Sequence, residues 1–144
     1  MGKIVSVLIL AIGLTGCAAS GKQFSGLSEI NDGTATAYLY RQKAFFAGGA
    51  MGEVILDDKK AGFIRNGGYI SKSLDAGKHT LAVRGETVKS VDFEAKANET
   101  LCFKTSPRPG IVGARFTLTA VDLETCKTEM NGLKESINPV QDNI

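Results

Sequence analysis

The sequence predicts an all-β domain: a small sandwich of short strands with one short helix, near the C-terminal end, packed on one sheet. Three observations point there. From residue 34 onward, short runs alternate apolar and polar side chains with the period of a half-buried strand. Clusters of Gly, Asn and Asp separate these runs at turn spacing. The period changes to that of a helix only over residues 122–137.

Upstream of that domain the chain has a different character. Lys3 precedes an apolar run over residues 4–14, too short for the roughly 20 residues that span a bilayer. It has the length of a secretory h-region, roughly 7–15 residues. The run ends on Leu14-Thr15-Gly16-Cys17, which resembles a bacterial lipobox. That resemblance implies a lipoprotein signal peptide over residues 1–16, cleavage before Cys17, a diacylglycerol on its thiol and a third acyl chain on its new amine. One acyl chain binds a bilayer only marginally, at about 0.8 kcal/mol per buried methylene, whereas three together hold firmly. An ordinary secretory signal containing a cysteine is the alternative. The start Met1-Gly2-Lys3-Ile4-Val5-Ser6 also fits a myristoylation pattern, but the apolar run and its terminal cysteine favour export. Ala18, where an Asp would favour retention in the inner membrane, points to an outer-membrane anchor with the domain facing the periplasm. Residues 17–33, rich in Ser, Gly and small polar side chains, read as the acylated cysteine and a flexible tether.

Composition narrows the function classes. The 144 residues carry 17 Lys and Arg against 15 Asp and Glu, with the two signs interspersed. A nucleic-acid partner would call for a basic patch or stripe, so none is expected. With Cys17 taken by lipid, Cys102 and Cys126 remain. An even pair in an oxidising compartment reads as a disulfide, worth roughly 3 kcal/mol for a loop of this size. Two buried free thiols are the competing reading. A metal site is not expected, because the one histidine, His79, has no motif linking it to either cysteine. No cofactor is implied.

The elements follow in order. Residues 34–41, TATAYLYR, set Ala35, Ala37 and Leu39 against Thr36, Tyr38 and Tyr40. Residues 47–52, AGGAMG, form a Gly-rich loop. It lacks the G-x-x-x-x-G-K-[ST] spacing of a phosphate cradle, and a surface loop or bulge is the simpler reading. Strands are expected over 54–56, 61–64 and 69–74. Asp57-Asp58-Lys59-Lys60 and Asn66-Gly67-Gly68 serve as turns, and adjacent aspartates on a turn point apart, too few to hold calcium. After Asp75-Ala76-Gly77, residues 79–84 place His79, Leu81 and Val83 on one face. Val91, Phe93 and Ala95 alternate with polar neighbours, and strands over 101–105 and 116–121 complete the set.

In the last segment Leu123, Cys126, Met130, Leu133 and Ile137 form one helical stripe. Asp122 stands at its N-cap, and Asn131-Gly132 is able to end it early. Cys102 falls on the strand face opposite Leu101 and Phe103, so a helix on the outer face of one sheet would be pinned there by a disulfide. The domain is thus expected over residues 34–137, with a flexible tail over 138–144.

The segment from Tyr38 to Leu81 resembles the bacterial lipoprotein family catalogued as domain of unknown function 2846. The matching residues are Tyr38, Tyr40 and Arg41; Val54, Leu56, Asp57, Lys59 and Gly62; Asn66, Gly67 and Tyr69; and Gly77, His79 and Leu81. Asp58 stands where Gly is usual and Ala76 where Pro is usual, both in turns. The resemblance implies an immunoglobulin-like or PEGA-like β-sandwich on an envelope lipoprotein, and it carries no established activity.

Candidate sites are sparse. His79 has Ser71, Ser73 and Asp75 nearby but no nucleophile elbow, and reads as a core-edge residue whose ring nitrogens bond backbone or water. Arg and aromatic residues are enriched at interfaces, so Tyr38, Tyr40, Arg41 and Tyr69 form a candidate interaction face. The same four are also suited to covering a core or anchoring strands through their hydroxyls. The expected role is therefore non-catalytic: a protein-interaction or structural module, tethered to the outer membrane by lipid on Cys17, with an envelope protein as partner. A module binding glycan, peptidoglycan or a small molecule is the alternative.

Overall fold

The computed structural model describes residues 18–136. The expected signal peptide (1–16), the acylation expected at Cys17, the last stripe position Ile137 and the expected tail (138–144) lie outside the described residues.

The fold is all-β with one helix. Its strands are β1 (Ala35–Arg41), β2 (Gly52–Leu56), β3 (Lys59–Ile64), β4 (Gly68–Leu74), β5 (Gly77–Arg84), β6 (Val88–Ala95), β7 (Thr100–Lys104), β8 (Pro107–Pro109), β9 (Ala114–Phe116) and β10 (Thr119–Val121). The helix α1 (Leu123–Met130) and a short β11 (Lys134–Glu135) follow. One sheet runs β10-β7-β1-β4-β11 and the other β3-β2-β5-β6, with β8 and β9 as a separate hairpin. β1 pairs antiparallel with β4 and parallel with β7.

The alternation in β1 explains the layers. Ala35, Ala37 and Leu39 face inward to a core shared with Val54, Ile64, Leu81, Val83 and Phe103 from both sheets. Full burial of the larger of these, the Leu, Val, Ile and Phe side chains, is worth about 1.5–3 kcal/mol each. Tyr38 and Tyr40 face the other way, into a second cluster with Tyr69, Cys102, Cys126, Met130 and Leu133. The second cluster is the layer beneath α1. The helix starts as expected: the Asp122 side chain accepts the Thr125 N–H at 2.9 Å. It ends at Asn131, followed by Gly132 at φ 85°. Cys126 and Met130 are buried, and Leu133 reaches the same layer from beyond the helix. Leu123, the first stripe position, is partly exposed instead, at the helix start. The disulfide Cys102–Cys126 joins β7 to α1 across a Cα separation of 6.2 Å, so the helix is pinned to the outer face of the sheet.

Two expectations need correction. Residues 116–121 do not form one strand: β9 pairs with β8 and β10 pairs with β7. Between them Thr117 bonds Ser106, its N–H to the Ser106 carbonyl at 2.9 Å and its hydroxyl accepting the Ser106 N–H at 3.1 Å. The unbroken β pattern conceals this crossing, because Phe116 and Leu118 are buried in the same core. Nor are residues 18–33 a free tether. The N–H groups of Ala19, Gly21 and Phe24 donate to the carbonyls of Asn66, Glu135 and Leu133, and Phe24 and Leu27 cover the tyrosine layer. Small polar composition suggested flexibility, but Phe24 and Leu27 supply the apolar contact that holds the segment.

Replacing Cys102 and Cys126 together with alanine should lower unfolding free energy by about 3 kcal/mol in a urea titration, the loop-entropy value for this closure. An unchanged midpoint would show that the layer under α1 holds without its cross-link.

Candidate functional site

The four residues expected on an interaction face are interior. Tyr38, Tyr40, Arg41 and Tyr69 are all buried. For the three tyrosines the physical reason is that residues 18–33 and α1 cover the outer face of β1 and β4. Phe24 packs edge-on against Tyr38 and Tyr69, with ring centroids 6.3 and 5.7 Å away. The hydroxyls find partners, as buried phenols must. Tyr38 accepts the Ser28 N–H at 3.0 Å, and Tyr40 donates to the Glu129 carboxylate, which also takes an ion pair from Lys104 at 2.9 Å. Burial first, then the Glu129 carboxylate, pushes the Tyr40 phenol above its usual range. The hydrogen bond from Tyr40 holds Glu129 below its own. These tyrosines tie the helix and the N-terminal segment to the sheet, the anchoring role open to them in the sequence.

Arg41 sits at the end of β1 with its side chain turned inward. Its guanidinium donates to the carbonyls of Ala50 at 2.5 Å and Ala47 at 2.7 Å and lies 5.8 Å from the Phe116 ring centroid. Desolvation lowers its pKa, yet a guanidinium stays charged. The two carbonyls and the ring face offset part of the cost of burying that charge. Asn66 clasps the same loop from the other side, accepting the Ala44 N–H and donating to its carbonyl, both at 2.9 Å. The Gly-rich loop is therefore a braced platform between β1 and β2. The sequence marks Asn66 as a turn residue and a match to the family pattern, and its clasp on the loop has no signal there.

A second loop is braced in the same way. Glu86, in the β5–β6 turn, accepts the N–H groups of Val112 and Gly113 at 2.9 and 3.0 Å and pairs with Arg115 at 2.8 Å. The backbone donors, Val112 first, hold its carboxyl down to about 2. Gly110 fits because a Cβ there would come within 2.2 Å of the Glu86 carboxylate. No element or site is expected from the sequence at this hairpin tip. The available signal was an apolar pair, Ile111-Val112, bracketed by glycines where a turn would ordinarily be polar.

His79 lies at the opposite end, beside an open depression that it lines with Asp57, Thr80, Asp92 and Phe93. Asp57 and Asp58 both take positive φ, 50° and 63°, which closes a two-residue hairpin turn and explains why Gly is usual at the second position. That turn aims Asp57 at His79: its carboxylate lies 2.6 Å from Nδ1, and the Asp75 carbonyl lies 2.7 Å from Nε2. Both partners are acceptors, so the geometry suits an imidazolium donating from both nitrogens. The Asp57 hydrogen bond raises the His79 pKa and lowers that of Asp57. Through these two bonds His79 clasps two turns together. Among the described residues no group of three His, Cys, Asp or Glu side chains could hold a metal ion.

Two measurements check these assignments. Arg41→Met keeps the stem and removes both carbonyl bonds, each worth about 1.5–3 kcal/mol to a charged donor, less the desolvation recovered. Protease cleavage within residues 42–51 should then quicken about tenfold, the ratio that 1.4 kcal/mol represents. Unchanged cleavage would show that Arg41 does not brace the loop. For the clasp, the raised His79 pKa gives stability that is full below the ordinary histidine value of 6.5 and fades as pH rises through the folded value. The lowered Asp57 pKa gives stability present above 3.8 and lost as pH falls through its folded value. Thermal stability should thus decline as pH rises above 6.5, and Asp57→Asn should flatten that decline. An equal slope in the variant would assign it to another group.

The family model described as protein of unknown function DUF2846 matches residues 31–112, from the strand that opens the sandwich to the tip of the β8–β9 hairpin. No curated protein and no solved structure matches. Residues 18–30 of the N-terminal segment and the disulfide-bonded helix lie beyond the matched residues, while Arg41, the braced loop, Asn66 and His79 lie within them. The chain belongs to this family of unknown function, DUF2846.

Proposed function

We propose that the chain is an exported lipoprotein of the bacterial cell envelope, anchored in the outer membrane by acyl chains on Cys17, and that its domain acts without catalysis as a protein-interaction or structural module facing the periplasm. The observation that carries this reading is the adjacency of Leu14-Thr15-Gly16-Cys17 to the folded domain: Ala18, the next residue, is bridged to Asn66. The anchor and the domain are consecutive in the chain, so the domain is held at the bilayer and not on a long leash. The Cys102–Cys126 disulfide supports an oxidising compartment. The engagement of both His79 nitrogens supports a non-catalytic role.

The end carrying the Asp57-Asp58 turn and His79 points away from Ala18. A periplasmic partner would meet this end, with its hairpin turns and its mixture of Lys, Asp and Glu side chains. Metabolic labelling with a palmitate analogue, followed by membrane fractionation, tests the anchor. The native chain should take up label and sediment with outer membranes, and Cys17→Ser should lose both label and membrane. A native chain that stays unlabelled would end the lipoprotein reading.

A further inference from the structure

Among the described residues, seven large hydrophobic side chains stand exposed, and six of them lie at one end of the sandwich. Phe45, Phe46 and Met51 project from the loop that Arg41 and Asn66 brace, with Phe45 wholly exposed. Ile111 and Val112, close to nine-tenths exposed, project from the hairpin tip held by Glu86, and Val88 opens β6 beside that turn. The register places both loops at the same end. Gly52 at the start of β2 pairs with Ile64, Glu53 pairs with Arg84, and Arg84 pairs with Val88. The Phe116 ring, at the foot of the hairpin, lies under Arg41 and beside Gly52 and Gly85.

The N-terminal segment starts at this same end. Ala18 is bridged to Asn66, whose side chain holds Ala44 of the aromatic loop. From there residues 18–33 run the length of the sheet and reach the opposite end, where the Gly33 N–H donates to Asn98. Cys17 directly precedes Ala18 in the sequence. Among the described residues, Lys43, Lys89, Arg108 and Lys134 are exposed at this end and make no salt bridge; Glu53 and Glu86 are each paired with an arginine, which leaves Glu135 as the exposed acid without one there.

From these observations we infer that the loop end bearing Phe45, Phe46, Ile111 and Val112 inserts into the lipid interface beside the Cys17 anchor. The domain is then a two-loop interfacial membrane-binding module and not only a lipid-tethered one. This rests on the acylation reading given above and deepens it. Apolar tips on separate braced loops, flanked by unpaired cations, suit a bilayer of anionic headgroups over acyl chains. The anchor position brings this end to the bilayer, because the residue after Cys17 is fixed to it. Bracing of both loops lowers the ordering entropy that insertion would otherwise cost.

The chain contains no Trp, so a single substitution gives a unique fluorophore. Phe45→Trp in the full, membrane-extracted protein is reconstituted into phosphatidylethanolamine–phosphatidylglycerol vesicles with and without brominated acyl chains. Lys96→Trp, at the opposite end, serves as the comparison, and mass spectrometry reads the acylation of Cys17. With acylated protein, the emission of Phe45→Trp should shift to the blue and be mostly quenched by the bromines, while Lys96→Trp keeps its full emission. Acylated protein that floats with the vesicles while Phe45→Trp stays unquenched would overturn the insertion and leave the two loops to a protein partner. Protein without acyl chains would overturn the anchor itself, and the insertion with it.

Discussion

β1 has no face for solvent, and the rest of the fold is arranged around that constraint. Its inward side chains, Ala35, Ala37 and Leu39, join the two sheets. Its outward tyrosines are too large and too apolar to leave wet, yet each carries a hydroxyl that needs a partner. The chain meets both needs with one layer. Residues 18–33 and α1 lie over the tyrosines, and Ser28 and Glu129 bond the hydroxyls. The Cys102–Cys126 disulfide sits within that layer and fixes the helix against the strand beside β1. Without the cover, the five-stranded sheet would expose an aromatic face.

This dependence links the fold to the proposed location. The segment that covers the tyrosines also carries the chain from the anchor end to the start of β1. Covering the sheet therefore uses up the length that would otherwise act as a tether. With the proposed anchor on Cys17, the domain would rest on the end from which Ala18 emerges, and that end carries two braced loops tipped with apolar side chains. Arg41 and Glu86 serve parallel purposes there. Each is a charged group at the foot of a loop that satisfies backbone atoms which would otherwise leave the loop free to move. The polar end, with His79 clasped between two turns, lies opposite Ala18.

The strands and the helix were legible because their signals are local. Alternation in β1 assigned Ala37 and Leu39 to one face and Tyr38 and Tyr40 to the other. The stripe of Cys126 and Met130, set beside Cys102 opposite Phe103, anticipated both the helix position and its cross-link. The crossing at Thr117 was not legible, since a change of partner strand leaves the inside–outside alternation of Phe116 and Leu118 intact. Residues 18–33 look like a tether because small and polar side chains dominate their composition, while Phe24, Leu27 and a few backbone bonds decide where they go. Arg41 misled for a related reason. A cation next to tyrosines has the composition of an interface, and nothing local tells that two carbonyls at Ala47 and Ala50 will receive it inside. His79 was placed correctly at the core edge, but its partner Asp57 is brought to it by a turn whose geometry depends on both aspartates adopting positive φ.

The central claim is that residues 18–33 are a docked part of the domain and hold its aromatic loop end against the anchor. Amide hydrogen exchange at Ala19, Gly21 and Phe24 tests it most directly, since each N–H donates to a carbonyl of the folded body. These three amides should exchange far more slowly than an open chain and gain protection together. Exchange of all three at the open-chain rate, with β1 still protected, would make the segment a tether after all and would free the loop end from the membrane.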